Sequence, residues 1–168
     1  MKILIFEDGG FTTKVLTRLL VARDHKVTAL KGVMPSVALI GINQEMQTVA
    51  FEPSDFDLAF IDQNIYRTVG FTELVAALSR SIPCIGLSTM PETNLVFKQN
   101  GAKLALTKAT IFAGLYSDRI DCSHVKELSA VEEELLLHLQ SELVHPTCSC
   151  MKELRKQTDG FLMEVMQG

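Results

Sequence analysis

The feature that most constrains this chain is a series of short, continuously apolar runs separated by stretches of helical periodicity. The runs lie at 3–6, 58–61, 82–87 and 104–106, with a weaker one at 27–30. A strand with one wet face alternates in polarity. Continuous apolarity is what a strand buried on both faces of a parallel sheet requires. Between the runs, 12–23 places Val15, Leu16, Leu19 and Leu20 on one helical face, and 71–80 and 93–100 read as two further helices. Asn100-Gly101 supplies a helix stop just before the last run. Strands alternating with helices imply right-handed crossovers and a doubly wound α/β sheet.

One stretch breaks the rhythm. Residues 31–55 should hold the second helix, yet 37–42 and 48–51 are apolar segments flanking Asn43-Gln44-Glu45-Met46. That pattern predicts a β-hairpin with a polar turn.

The character changes again near residue 120. Ser129-Ala130-Val131-Glu132 is a capping-box pattern opening a helix whose Leu128, Val131, Leu135, Leu139 and Leu143 share a face. His145-Pro146 should end it, and a second helix is expected over 151–166. The expected organisation is therefore a domain over 1–120 and a helical extension over 121–168. The extension reads as a docking or dimerisation element, or as the start of a truncated output domain. The leucine face must be covered by the domain, by a second copy in a homodimer, or by a partner.

A chain of 168 residues with 47% apolar residues can bury one full core plus an appendage. The net charge of −4 argues against broad electrostatic binding to nucleic acid or an anionic membrane. No apolar run is long enough to span a bilayer, and MKILIFEDGG is not a signal peptide. A cytoplasmic location is expected, with the four cysteines as reduced thiols. Cys122-Ser123-His124 and His145 to Cys150 invite a zinc reading, but the C-x-C spacing fits no finger pattern.

In an open parallel sheet, ligands bind beyond the carboxyl ends of the strands. The polar residues ending each run are thus the candidates. These are Glu7 and Asp8, then Asp62, then Ser88 and Thr89, then Thr107 and Lys108. Clustered carboxylates repel unless a cation sits among them, and hard oxygen ligands suit Mg²⁺. Asp62 could attack a phosphoryl group without a general base, because a carboxylate is already ionised at neutral pH. Mg²⁺ and the Lys108 ammonium would neutralise the transferring oxygens, and Ser88 would donate a hydrogen bond. Taken singly, Asp8 also lies where acids cap helices, Ser88 and Thr89 compete with a capping reading that the functional one outweighs, and Lys108 alone is more often a solvated lysine.

The segments KILIFED (2–8), FDLAFID (56–62), IPCIGLST (82–89) and GAKLALTK (101–108), in that order and spacing, resemble bacterial two-component response-regulator receivers. Gly70-Phe71-Thr72-Glu73-Leu74 and Asp24-His25-Lys26-Val27 add to the likeness. The resemblance implies a flavodoxin-like five-stranded parallel sheet, strand order 2-1-3-4-5. It implies that Glu7, Asp8, Asp62 and the Asn64 carbonyl hold Mg²⁺, and that Asp62 is phosphorylated. Ser88 and Lys108 take the places of the switch hydroxyl and the invariant lysine. The implied partner is a histidine kinase or phosphotransfer protein. The chain is then a phosphoacceptor rather than an enzyme.

Several positions depart from the family pattern. Ala105 stands where an aromatic switch is usual, Ala109 where proline follows the lysine, and Ile65-Tyr66-Arg67 where the loop normally reads toward Met-Pro. With the remodelled region 31–55, these favour an alternative: a phosphorylation-independent pseudo-receiver serving as an interaction scaffold. A phosphatase reading of Asp8-Gly9-Gly10-Phe11-Thr12, as a D-x-D-x-T start of haloacid-dehalogenase type, loses its second aspartate to Gly10 and leaves Asp62 without a role.

Overall fold

A computed structural model describes residues 1–34, 40–66, 70–116 and 120–123. The expected extension over 121–168 lies, beyond residue 123, outside the described residues. Among the described residues thirteen elements follow one another: β1 (Lys2–Phe6), α1 (Gly10–Val21), β2 (Lys26–Leu30), β3 (Gly32–Met34), β4 (Ile40–Ile42), β5 (Thr48–Ala50), a 3₁₀ turn (Pro53–Asp55), β6 (Leu58–Asp62), α2 (Phe71–Leu78), β7 (Cys84–Ser88), α3 (Pro91–Gln99), β8 (Leu104–Thr107) and α4 (Lys108–Tyr116).

Five strands form one parallel sheet in the order β2-β1-β6-β7-β8. Counting only its own strands, that is the expected 2-1-3-4-5. Period-two alternation divides the apolar runs between two cores. Ile3, Ile5, Leu58, Phe60, Ile85, Leu87, Leu104 and Leu106 point to one face, where they meet Val15, Leu16, Leu19 and Leu20 of α1 and Ile111, Phe112 and Leu115 of α4. Leu4, Phe6, Ala59, Ile61, Cys84 and Ala105 point to the other, against Leu74, Val75 and Leu78 of α2 and Phe97 of α3. Every residue of β6 and β7 is buried. This is why those segments read as unbroken hydrophobic runs.

The crossover between β2 and β6 carries no α-helix among its described residues, only the 3₁₀ turn Pro53–Asp55. Instead β3, β4 and β5 form a second, antiparallel sheet in that order. The predicted hairpin is present as β4–β5, with Ile40 opposite Ala50 and Ile42 opposite Thr48. Its turn is built by Asn43, whose side-chain Oδ1 accepts the N–H groups of Glu45 (3.1 Å) and Gln47 (2.8 Å). Met46 takes a positive φ of 66° to close it. The sheet packs onto the core through Val33, and Gly41 lies directly on Leu30, where a Cβ would collide with the leucine side chain. No helix of the described residues is long and apolar enough to cross a membrane.

Candidate functional site

The parallel sheet brings the ends of β1, β6, β7 and β8 to one edge, and there the polar residues collect. Glu7 follows β1, Asp62 ends β6, and Lys108 opens α4 directly after β8. Lys108 Nζ lies 2.9 Å from Glu7 Oε2 and 3.0 Å from Asp62 Oδ2. Both carboxylates are buried, at 1% and 0% exposure, whereas Asp8 is exposed. One carboxylate oxygen from each of Glu7, Asp8 and Asp62 lies within 4.8 Å of the others. Gly9, which caps α1, donates its N–H to Glu7 Oε1 at 2.9 Å and so aims the other oxygen inward. No side chain caps α1, so Asp8 does not serve as the helix cap that its position would also allow.

The electrostatics of this cluster are out of balance. Burial pushes Glu7 up to about 7, against the restraining Lys108 ammonium and with help from the Asp62 charge. Burial likewise raises Asp62, offset by Lys108 and by the backbone N–H groups of Asn64 and Gln63. For Lys108, burial favours the neutral amine, but the two carboxylates outweigh it and hold the ammonium above its ordinary range. Among the described residues, one ammonium thus pairs with two buried carboxyl groups, and Asp8 stands beside them. Glu7 Oε2 and Asp62 Oδ2 are met by that single Lys108 ammonium, and among the described residues Asp62 Oδ1 accepts no hydrogen bond of good geometry. Buried carboxylate oxygens that share one ammonium and keep unmet lone pairs are costly, and a hard divalent cation satisfies them. The donor set of Glu7, Asp8 and Asp62 therefore fits Mg²⁺ or Mn²⁺.

Ser88 is buried at the end of β7, and its hydroxyl is engaged locally, 2.9 Å from the Met90 carbonyl and 2.6 Å from Asn94 Oδ1. It ties β7 to the first turn of α3. Asn64 lies in the exposed bend after Asp62, where its N–H favours the ionised carboxylate. A bridge that sequence reasoning missed spans the site mouth: Gln63 Nε2 donates to Thr89 Oγ1 at 3.0 Å, and Thr89 N–H donates to Gln63 Oε1 at 3.3 Å. Its only sequence signal is that each partner directly follows a strand-ending site residue. Ala105, in the place of the expected aromatic, is 2% exposed and belongs to the α2–α3 core. Cys84 and Cys122 are buried, and burial raises both thiols to about 12, which makes them inert packing groups. His124, Cys148 and Cys150 lie outside the described residues.

A cavity of about 280 Å³, bordered by Arg23, His25, Ile120, Asp121 and Ser123, lies at the opposite, amino end of the strands and has no part in the acidic cluster.

No protein-family model and no curated protein matches the chain. Solved structures do. The Mn(2+)-bound form of response regulator Rcp1 matches with 17% identity and a TM-score of 0.50, over 69% of this chain and 89% of its own. The non-phosphorylated HemR receiver domain from Leptospira biflexa matches with 18% identity and a TM-score of 0.50, over 70% and 91%. A CheY-like receiver domain protein from Methanospirillum hungatei JF-1 matches with 16% identity and a TM-score of 0.51, over 79% and 97%. At these identities the likeness is one of architecture, and it agrees with the strand order: the described domain has the fold of a response-regulator receiver.

Proposed function

We propose that this domain receives a phosphoryl group on Asp62 from a histidine kinase or phosphotransfer protein. The observation that carries the reading is the Lys108 ammonium bridging buried Glu7 and Asp62, with Asp8 beside them, at the carboxyl edge of a receiver-type sheet. A lysine and three acids cost stability in such a place unless they are used.

The geometry supports the following roles. Asp62 Oδ1 or Oδ2 attacks phosphorus, the P–N bond to the donor imidazole breaks, and the imidazole leaves with the electron pair and picks up a proton from water. Lys108 shares its charge between Asp62 and the incoming phosphoryl oxygens. Glu7, fixed by Gly9, and Asp8 would hold Mg²⁺ together with Asp62. That ion supplies positive charge against the phosphoryl oxygens. The product is an acyl phosphate, so the domain is a stoichiometric acceptor and not a turnover enzyme. The added charge would be read by a partner or by a second copy of the chain.

A second reading is favoured by the burial of Ala105 in the core, where the usual aromatic relay would sit, and by the engagement of Ser88 with Met90 and Asn94. Under it, the domain is a scaffold that never receives phosphate. Intact mass after incubation with Mg²⁺ and acetyl phosphate separates the two. A single phosphoryl adduct on the native protein, absent from Asp62→Asn, is the expected result. No adduct, with native Mg²⁺ binding also absent, supports the scaffold.

A further inference from the structure

The segment Leu30 to Gly32 joins the two sheets, and it also touches both loops that carry the acids. The N–H of Glu7 donates to the Leu30 carbonyl at 3.0 Å. The N–H of Tyr66, four residues past Asp62, donates to the Lys31 carbonyl at 2.8 Å. Lys31 in turn donates its own N–H to the Ile42 carbonyl of β4 at 2.7 Å. Gly32 lies so close beneath Tyr66 that a Cβ there would collide with the Tyr66 carbonyl oxygen. On the other side, Gly41 of β4 rests on the Leu30 side chain. Three consecutive residues are thus hydrogen-bonded or packed to the β1 loop, the β6 loop and the hairpin.

We infer that Leu30 to Gly32 is a positioning strut, and that filling the acidic cluster is transmitted through it to the β3–β5 sheet. This rests on the reading of Glu7, Asp8 and Asp62 as a cation site. A cation removes the mutual repulsion of those carboxylates, and the loops bearing them become more rigid. The Glu7 amide holds the Leu30 carbonyl, the Tyr66 amide holds the Lys31 carbonyl, and the Lys31 N–H anchors Ile42, so that rigidity reaches the hairpin through the Leu30–Lys31 peptide. The route replaces the aromatic relay that Ala105 cannot provide. Among the described residues it ends on an exposed surface: every residue of β5 is exposed, and Met34, Met46 and Val49 are exposed apolar side chains on or beside the same sheet.

The test is amide hydrogen exchange by mass spectrometry on the full chain, with and without saturating Mg²⁺, beside a calorimetric measurement of Mg²⁺ affinity. Peptides covering 40–50 should exchange more slowly by about fivefold or more when Mg²⁺ is bound, the scale of ordinary site-to-site coupling. Linkage demands the reverse effect as well. Asn43→Ala, which loosens the hairpin at its far end without touching the acids, should weaken Mg²⁺ binding several-fold. Gly32→Ala should leave a folded protein whose 40–50 exchange no longer responds to Mg²⁺; if it fails to fold, the Asn43→Ala arm decides. Slowing confined to 61–66, or an unchanged affinity in Asn43→Ala, overturns the strut while leaving the cation site intact. Absence of Mg²⁺ binding to the native chain overturns both.

Discussion

At the residue scale, the acidic cluster is held together by one side chain. Lys108 contacts both buried carboxylates, and removing it leaves two acids that Gly9 and the Asp62 loop amides satisfy only in part. Breaking a buried ion pair from one side costs about 3 kcal/mol, because the remaining charge is stranded. Lys108→Ala should therefore lower stability by roughly that amount at pH 8 in the absence of metal, measured by urea unfolding. The loss should shrink toward pH 5, where Glu7 takes up a proton. Asp62→Asn should act in the opposite direction. Burial disfavours the Asp62 charge, so a neutral isostere relieves the repulsion with Glu7 while Lys108 keeps its other partner. A stability gain of about 1 kcal/mol at pH 8 is expected, as sites built for function tend to be destabilised. A loss in its place would mean that Asp62 is a structural partner of Lys108.

At the element scale, glycines mark where one element must approach another. Gly86 of β7 lies under the ring of Phe97, which packs 4.6 Å from the ring of Phe71 across α2 and α3. Gly86→Ala should force Phe97 aside and cost about 2 kcal/mol, the usual range for overpacking a core, with a matching fall in Tm. These elements also show what the sequence could and could not disclose. Four of the five parallel strands were legible because burial on both faces leaves an unbroken apolar signature, whereas the half-exposed edge strand β2 left only a weaker run. The α1 helix was legible because Val15, Leu16, Leu19 and Leu20 mark one side. The hairpin over 40–50 was legible because Asn43 and the apolar segments around it are turn chemistry. The short β3 was not. Gly32-Val33-Met34 has no length from which to read a period, and only its pairing with β4 makes it a strand. The α4 helix was equally hidden, since Ile111, Phe112, Gly114 and Leu115 are buried together and give no polar face to contrast with an apolar one. Glu7, Asp8, Asp62 and Lys108 could be collected from strand ends alone. The Gln63–Thr89 bridge could not, because nothing in either segment specifies that two loops meet.

At the scale of the whole molecule, the buried acids couple folding to pH and to metal together. Glu7 rises from an ordinary 4.5 to about 7 in the folded chain, so the folded state binds a proton that the unfolded state releases between those values. The sign follows: this contribution is fully present below about pH 4.5 and is lost as pH rises through about 7, at a cost on the order of 3 kcal/mol. Asp62, raised by burial, and His25, whose imidazole is held below its ordinary range by burial and the nearby amino terminus, act in their own windows. The Glu7 effect is therefore best read as the difference between the native chain and Glu7→Gln, which should narrow steadily from pH 8 to pH 5. Mg²⁺ should oppose the trend. An ion that binds only the folded chain stabilises it by RT ln(1 + [L]/Kd), about 2.7 kcal/mol at a hundredfold excess over Kd. To bind, it must displace the proton on Glu7, so its effect on Tm should be large at pH 8 and small at pH 5.5. A Tm that ignores Mg²⁺ at both pH values would mean that Lys108 alone balances the cluster. A Tm that rises equally at both would place the ion away from Glu7.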